Sequence, residues 1–218
     1  MSFDRIAPHY RWMEWLLAGG KLQRCRTAFI SEIPVPREVL MMGEGNGRCL
    51  LEMLRAFPSA RFVCVDASAR MLERARVCVE SAGLGASAIE FVHADALDWK
   101  PPAACFDLLV SNFFLDCFTA DQLGVLVPGL SAAATSDARW LLADFCEPPS
   151  GFAKWRARWI LRAMYFFFRR VTRLSARSLT PPDALLRRSG FTLCERRLSE
   201  WGLLHCDVWR RAAAESPQ

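Results

Sequence analysis

Three glycines at every second position, Gly43, Gly45 and Gly47, follow an apolar run that begins at Val39. A helix-prone segment over residues 48–57 comes directly after them. Alternate glycines let a chain turn sharply and bring its backbone close to a ligand, because no Cβ stands between them. Glu44 and Asn46 fill the positions between the glycines. Asp66 lies 19 residues beyond Gly47 and ends a second apolar stretch that starts at Arg61. A carboxylate at that remove, at the carboxyl end of the next strand, can accept hydrogen bonds from ribose hydroxyls. Together the two features have the chemistry of a nucleoside site. The plainer alternatives are a tight structural connection and a surface-turn aspartate.

These residues need elements to hold them, and the apolar pattern supplies an alternation of strands and helices from Arg37 to Cys146. Ala67 and Ser68 close the second strand. Ser68 is placed to cap a helix from about Ala69, with Met71, Leu72 and Ala75 on one face. A third strand, residues 89–93, runs into Ala94, Asp95 and Ala96, and His93 reads as a strand-end side chain rather than a catalyst. A fourth, residues 106–111, opens into Asn112, Phe113, Phe114, Leu115, Asp116, Cys117 and Phe118. A fifth spans 138–146. Later, Thr180 is expected to cap a short helix begun by Pro181 and Pro182 and ended by Gly190. Residues 191–198 and 203–210 then form a hairpin-like pair around Glu200, Trp201 and Gly202. Such alternation predicts a mostly parallel sheet with helices on both faces, an α/β fold.

The glycine register is G-x-G-x-G, not the G-x-G-x-x-G of hydride-carrier folds, and Arg48 stands where the latter has its third glycine. With Asp66, Asp95 and the Phe106–Asp107 strand in order, the chain resembles the class I S-adenosylmethionine-dependent methyltransferases over roughly residues 36–210. Phe3, Asp4, Ile6, Ala7 and Tyr10 resemble the opening of its small-molecule and quinone branch. The resemblance implies a Rossmann-like, mostly parallel seven-stranded sheet with an antiparallel last strand. It implies S-adenosyl-L-methionine as cofactor, held by Gly43, Glu44, Gly45, Asn46, Gly47, Asp66, Ala67, Ser68, Met71, Asp95, Ala96, Ser111 and Asn112. Within it, Asp95 would meet the adenine amino group, and Phe113 and Phe114 would line the cleft or belong to the core. One departure is Met41, where the family has an acid two residues before the first glycine; Glu44 is expected to take over part of that role.

Composition narrows the field. At 218 residues and 52% aliphatic, aromatic and Cys residues, the chain suits one domain with an ample core. The expected divisions are a helical cap over 1–35, a cofactor-binding core over 36–146, an insert over 150–177 and a final helix with hairpin over 178–211. No run of 18 apolar residues suggests a membrane span, and the N-terminus does not read as a signal peptide. Nine scattered cysteines without C-x-x-C point to reduced thiols in a cytoplasmic setting. Three histidines without paired spacing speak against a metal site.

Residues 151–177 stand apart. They hold eight cations and no acid, and against a net charge of +5 this leaves the remainder at −3. Lys154, Arg158, Arg162, Arg169 and Arg173 fall in one helical stripe, with Trp159, Ile160, Ala163, Met164, Phe167, Val171 and Leu174 opposite, expected to face the core. The readings are a solvated basic face, a lid over an apolar substrate pocket, a contact with an anionic membrane surface, or nucleic acid.

Methyl transfer from a sulfonium needs the acceptor held in line and water excluded, with at most a modest base. Tyr10, His9, Asn112, Asp116 and His205 are the candidates near the expected mouth; Tyr10 and Asn112 suit orientation, and Asp116 could equally cap the following helix. The expected acceptor is a small, apolar or aromatic molecule, methylated on O, N or C. The alternatives are a nucleic-acid methyltransferase, although Ser111–Phe114 lacks the Asp/Asn-Pro-Pro-aromatic signature, and a cofactor-binding protein without turnover. Oligomeric state is not legible.

Overall fold

A computed structural model describes residues 20–84, 88–172 and 175–212. The expectations for Tyr10, His9, the cap before residue 20, Arg173 and Leu174 lie outside the described residues. The elements are α1 (Lys21–Thr27), β1 (Glu38–Met42), α2 (Arg48–Ala56), β2 (Arg61–Asp66), α3 (Ala69–Ser81), β3 (Ile89–His93) and β4 (Phe106–Asn112), followed by α4 (Ala120–Ala133), β5 (Ala134–Phe145), α5 (Gly151–Thr172), α6 (Asp183–Arg188), β6 (Phe191–Ser199) and β7 (Leu204–Arg211).

The seven strands form one sheet in the order β3-β2-β1-β4-β5-β7-β6. β1 to β5 run parallel, while β7 is antiparallel to both of its neighbours. The chain reverses its direction of travel across the sheet between β1 and β4, and a crevice opens beyond the strand ends at such a point. Val39 and Met41 face one core layer and Leu40 and Met42 the other, so β1 is apolar on both sides, as a central parallel strand must be.

Local chemistry explains several boundaries. Ser68 Oγ accepts from Met71 N–H at 3.2 Å and caps α3, as its position predicts. Thr119, not Asp116, caps α4: it forms a capping box with Gln122. Thr180 caps nothing; α6 starts at Asp183 behind Pro182, with no side-chain cap. β5 begins four residues before the expected Ala138, directly from α4, with a register shift against β4 between Phe106 and Leu108. Among the described residues no helix is long and apolar enough to cross a membrane, and no cluster of three or more His, Cys, Asp or Glu side chains is arranged to hold a metal ion.

Candidate functional site

The glycine loop and Asp66 meet at the carboxyl edge of the sheet. Gly45 N–H lies 3.4 Å from Asp66 Oδ2, and Ser68 N–H donates to Asp66 Oδ1 at 2.8 Å. All three loop glycines have positive φ, but they differ in what stands against them. A Cβ on Gly43 would come within 2.5 Å of the Phe114 ring, and one on Gly47 within 2.8 Å of the Ala75 backbone. These two glycines therefore allow close packing. Gly45 has nothing within 4 Å of an added Cβ, so its face is open. Next to it, Asn46 is buried, and its amide Nδ2 has no hydrogen-bond partner. An open glycine, a carboxylate and an unsatisfied buried amide side by side fit the polar edge of a nucleoside.

Asp95 joins this edge from β3, where Ala94 N–H donates to the Asp66 carbonyl at 3.2 Å. Asp95 Oδ1 accepts from Leu97 N–H at 3.1 Å and shapes the turn. Ala96 packs on the second core layer, and His93 Nε2 is 3.2 Å from the Ala67 carbonyl.

Three expected cofactor contacts turn elsewhere. Glu44 Oε1 accepts from Cys49 and Leu50 N–H at 3.0 and 2.9 Å, so its carboxylate closes the N-terminus of α2 instead of standing in for the acid missing at Met41. Loss of water pushes Glu44 up to about 7, against the pull of the Leu50 N–H and Arg26. The Ser111 hydroxyl accepts from the Trp140 indole at 2.8 Å, inside the core and away from the crevice. Met71 is buried on the inner face of α3. Asn112 stays at the edge: its Nδ2 donates to Cys49 Sγ at 3.3 Å and ties β4 to the first turn of α2.

Phe113 takes φ +53, a strained setting for a bulky residue. That conformation holds its ring 5.1 Å from both the Arg26 guanidinium and the Phe145 ring. Phe114 covers Gly43 and packs edge-on against Phe118. Beyond them a second group gathers at the end of β5. Asp116 N–H donates to Asp144 Oδ2 at 3.1 Å, and the Asp116 carbonyl accepts from Tyr165 OH at 3.0 Å. Asp144 faces His205 across the β5–β7 ladder, and His205 Nδ1 is 3.0 Å from Asp207 Oδ1. Arg196 in turn donates to both oxygens of Asp207, at 2.8 and 2.6 Å.

These carboxyls differ in charge for physical reasons. Burial pushes Asp116 up to about 6, and burial with the Asp116 charge pushes Asp144 well above the usual range. Asp207 is buried too, but the Arg196 donors, with the His205 ring close by, hold it below the usual value. A cavity of about 780 Å³ lies between α5 and this group, lined by Asp144, His205, Leu161, Tyr165, Arg162 and Arg196 among others. None of the residues that line it belongs to the glycine loop or to 112–117. Of the predicted catalytic residues, His205 is on the cavity wall, Asp116 lies just behind it, and Asn112 is at the crevice.

Asp144, Tyr165, Arg196 and Asp207 escaped sequence reasoning. Asp144 and Asp207 carried a signal: each is a lone carboxylate inside an apolar strand, and such groups are rarely buried unless paired. The insert also departs from expectation. Ala157, Leu161 and Tyr165 form its core face, whereas Trp159 is 58% and Phe167 42% exposed. The apolar stripe therefore faces outward in part, and Lys154 and Arg158 reach back to Glu147.

Comparisons with known proteins agree with this geometry. A family profile described as "Methyltransferase domain" matches residues 39–147. Trans-aconitate 2-methyltransferase of Streptomyces coelicolor is 34% identical over 110 residues, 49% of this chain and 36% of that protein. The protein of the same name from Acidovorax sp. is 34% identical over 79 residues, 36% of this chain and 28% of that protein. The chain thus spans about a third of the length of these curated relatives. Among solved structures, mitomycin 7-O-methyltransferase superposes with a TM-score of 0.70 at 20% identity, covering 97% of this chain and 61% of that one. The Burkholderia thailandensis 1,6-didemethyltoxoflavin-N1-methyltransferase, solved with its substrate and S-adenosylhomocysteine, gives 0.66 at 18% identity, covering 96% and 84%.

Proposed function

The chain belongs to the methyltransferase domain family, with the class I fold, and from that premise we propose that it moves a methyl group from S-adenosyl-L-methionine to a small-molecule acceptor. The observation that carries this reading is the open face of Gly45 opposite the Asp66 carboxylate, with the unsatisfied Asn46 amide beside it. Asp66 would take the ribose hydroxyls, the loop backbone the amino-acid end, and the Asp95–Ala96 turn the adenine edge. When bound, the cofactor supplies an electrophilic methyl group on a positively charged sulfur.

The protein's own task is then positional. The acceptor occupies the cavity beneath α5, with Phe113 and Phe145 flanking its entrance toward the crevice and Asn112 orienting it. Leu161 and Tyr165 close the roof and keep water out, which an in-line displacement requires. His205, steadied by Asp207, accepts the proton leaving an acceptor hydroxyl or amine, and Asp116 is the alternative proton acceptor. Phe145, Leu161, Tyr165 and Leu179 give the cavity an apolar side for the ring of an apolar or aromatic acceptor, beside the charged wall of Arg158, Arg162, Arg177 and Arg196.

Titration calorimetry with S-adenosylmethionine and S-adenosylhomocysteine tests the cofactor assignment. Saturable heat is expected with both, and Asp66→Ala should weaken binding by about 1–3 kcal/mol. No saturable heat with either ligand would overturn the assignment, and unchanged affinity in the variant would remove Asp66 from the site. In a screen of phenolic acceptors with labelled cofactor, His205→Ala should lower kcat and leave cofactor affinity as it was.

A further inference from the structure

The outward face of α5 has no function in that reaction, and among the described residues it gathers exposed aromatic side chains beside arginines. Phe152, Trp155, Trp159 and Phe166 are 66%, 59%, 58% and 64% exposed. At about 100° per residue they fall within an arc of roughly 60° at the centre of the exposed side. The first three touch along the helix: Phe152 and Trp155 stack at 5.7 Å, and Trp155 meets Trp159 at 6.3 Å. Arginines border the arc, with Arg158, Arg162 and Arg169 on one flank and Arg156 on the other. Arg170 lies over the Phe166 ring at 5.0 Å. The 22 residues of α5 contain no acid, and among the described residues no carboxylate pairs with Arg162, Arg169 or Arg170.

We propose that this face of α5 docks on the surface of an anionic phospholipid bilayer, with the aromatic arc at the headgroup boundary and the flanking arginines among the lipid phosphates. Aromatic rings and arginines are the side chains that gain most at such a boundary, the rings by leaving water and the guanidinium groups by pairing with anions. The helix is not apolar enough to cross a membrane, so it would lie in the plane. A second copy of the chain is a poor occupant, because two such faces would set arginine against arginine without an acid between them. Single-stranded nucleic acid stacks its bases on aromatics inside a charged groove; here the rings stack on each other along a convex ridge. The inner face of α5 roofs the cavity through Leu161 and Tyr165, so docking would bring the cavity rim, with Arg158 and Arg162, to the lipid surface.

Flotation of the full chain with vesicles tests this without cofactor or acceptor, so its outcome is independent of methyl transfer. The probes are phosphatidylcholine vesicles with and without about 30% phosphatidylglycerol. The protein should float with the anionic vesicles, remain behind with the neutral ones, and lose most of its binding at about 0.5 M salt. Trp155→Ser with Trp159→Ser, both already exposed, should lower the bound fraction about tenfold with an unchanged circular dichroism spectrum. Arg169→Glu with Arg170→Glu should remove the preference for anionic lipid. The proposal is overturned if the protein floats with neither vesicle, or with both equally, or if the folded tryptophan variant floats like the parent. Retention on single-stranded RNA at physiological salt without flotation overturns it too, as does a dimer dissolved by the tryptophan substitutions in a protein that ignores vesicles.

Discussion

The two halves of the crevice are built by different means. On the β1–β2–β3 side, the groups at the crevice come from a loop and two strand ends within Gly43–Ala96, and much of what they present is backbone. On the β5–β7 side, Asp116, Asp144, Tyr165, Arg196, His205 and Asp207 converge from across the second half of the chain, and what they present is side chain. The first half depends on the absence of atoms, at glycines. The second depends on charges that are buried and must be balanced.

That contrast is open to direct attack. The largest effect is expected at Asp207, whose fully buried carboxylate meets Arg196 and His205. Asp207→Ala should destabilise the fold by about 3–5 kcal/mol, since it removes the buried partner of Arg196, leaving only Asp183, and strips the buried Trp209 indole N–H of its acceptor, and urea unfolding would measure it. A small loss there would mean that the second half is less dependent on buried charge than its geometry implies.

Glu44 gives the next effect, through pH. Its carboxyl is raised in the folded state from 4.5 to about 7, so folding favours the protonated form. The associated stability is fully present below pH 4.5 and is lost as pH rises through 7, amounting to roughly 3 kcal/mol at 1.36 kcal/mol per unit. Glu44→Gln keeps an acceptor for the Cys49 and Leu50 N–H groups and should flatten the dependence. Unfolding midpoints at pH 5 and 8 for both proteins decide the matter.

The glycines sharpen the comparison further. Gly47→Ala drives a Cβ into the Ala75 backbone at φ +81 and should cost about 2–3 kcal/mol of stability. Gly45→Ala meets no protein atom and should cost only about 1 kcal/mol, from its positive φ. Its effect should fall on cofactor affinity instead. Equal losses of stability at both positions would refute the division between packing and ligand-facing glycines.

The same contrast decides what was legible. β1 to β4, the G-x-G-x-G loop and Asp66 could be read because their signals are local: apolar runs, glycine spacing, a cap at Ser68. Loop and carboxylate do face each other. The hydrogen bonds of Glu44 and Ser111 were not legible, because their direction is set by tertiary neighbours, the α2 terminus and Trp140. His205 and Asp116 were singled out by residue type, but nothing in the sequence couples them to Asp144 or Tyr165, since strand pairing and the path of α5 are non-local. Trp159 and Phe167 of α5 were placed on the core side because helical periodicity gives two faces without saying which is covered.

The antiparallel course of β7 has a consequence for biosynthesis. Because β7 starts where β5 ends, residues 204–211, made well after β5, supply the wall that the earlier strands lack. Until they arrive, β5 is an open edge with unpaired amides and carbonyls, able to capture another nascent chain. The glycine-loop half can assemble while translation continues. The β5–β7 half must wait for β7, and during that interval the growing polypeptide is exposed to aggregation.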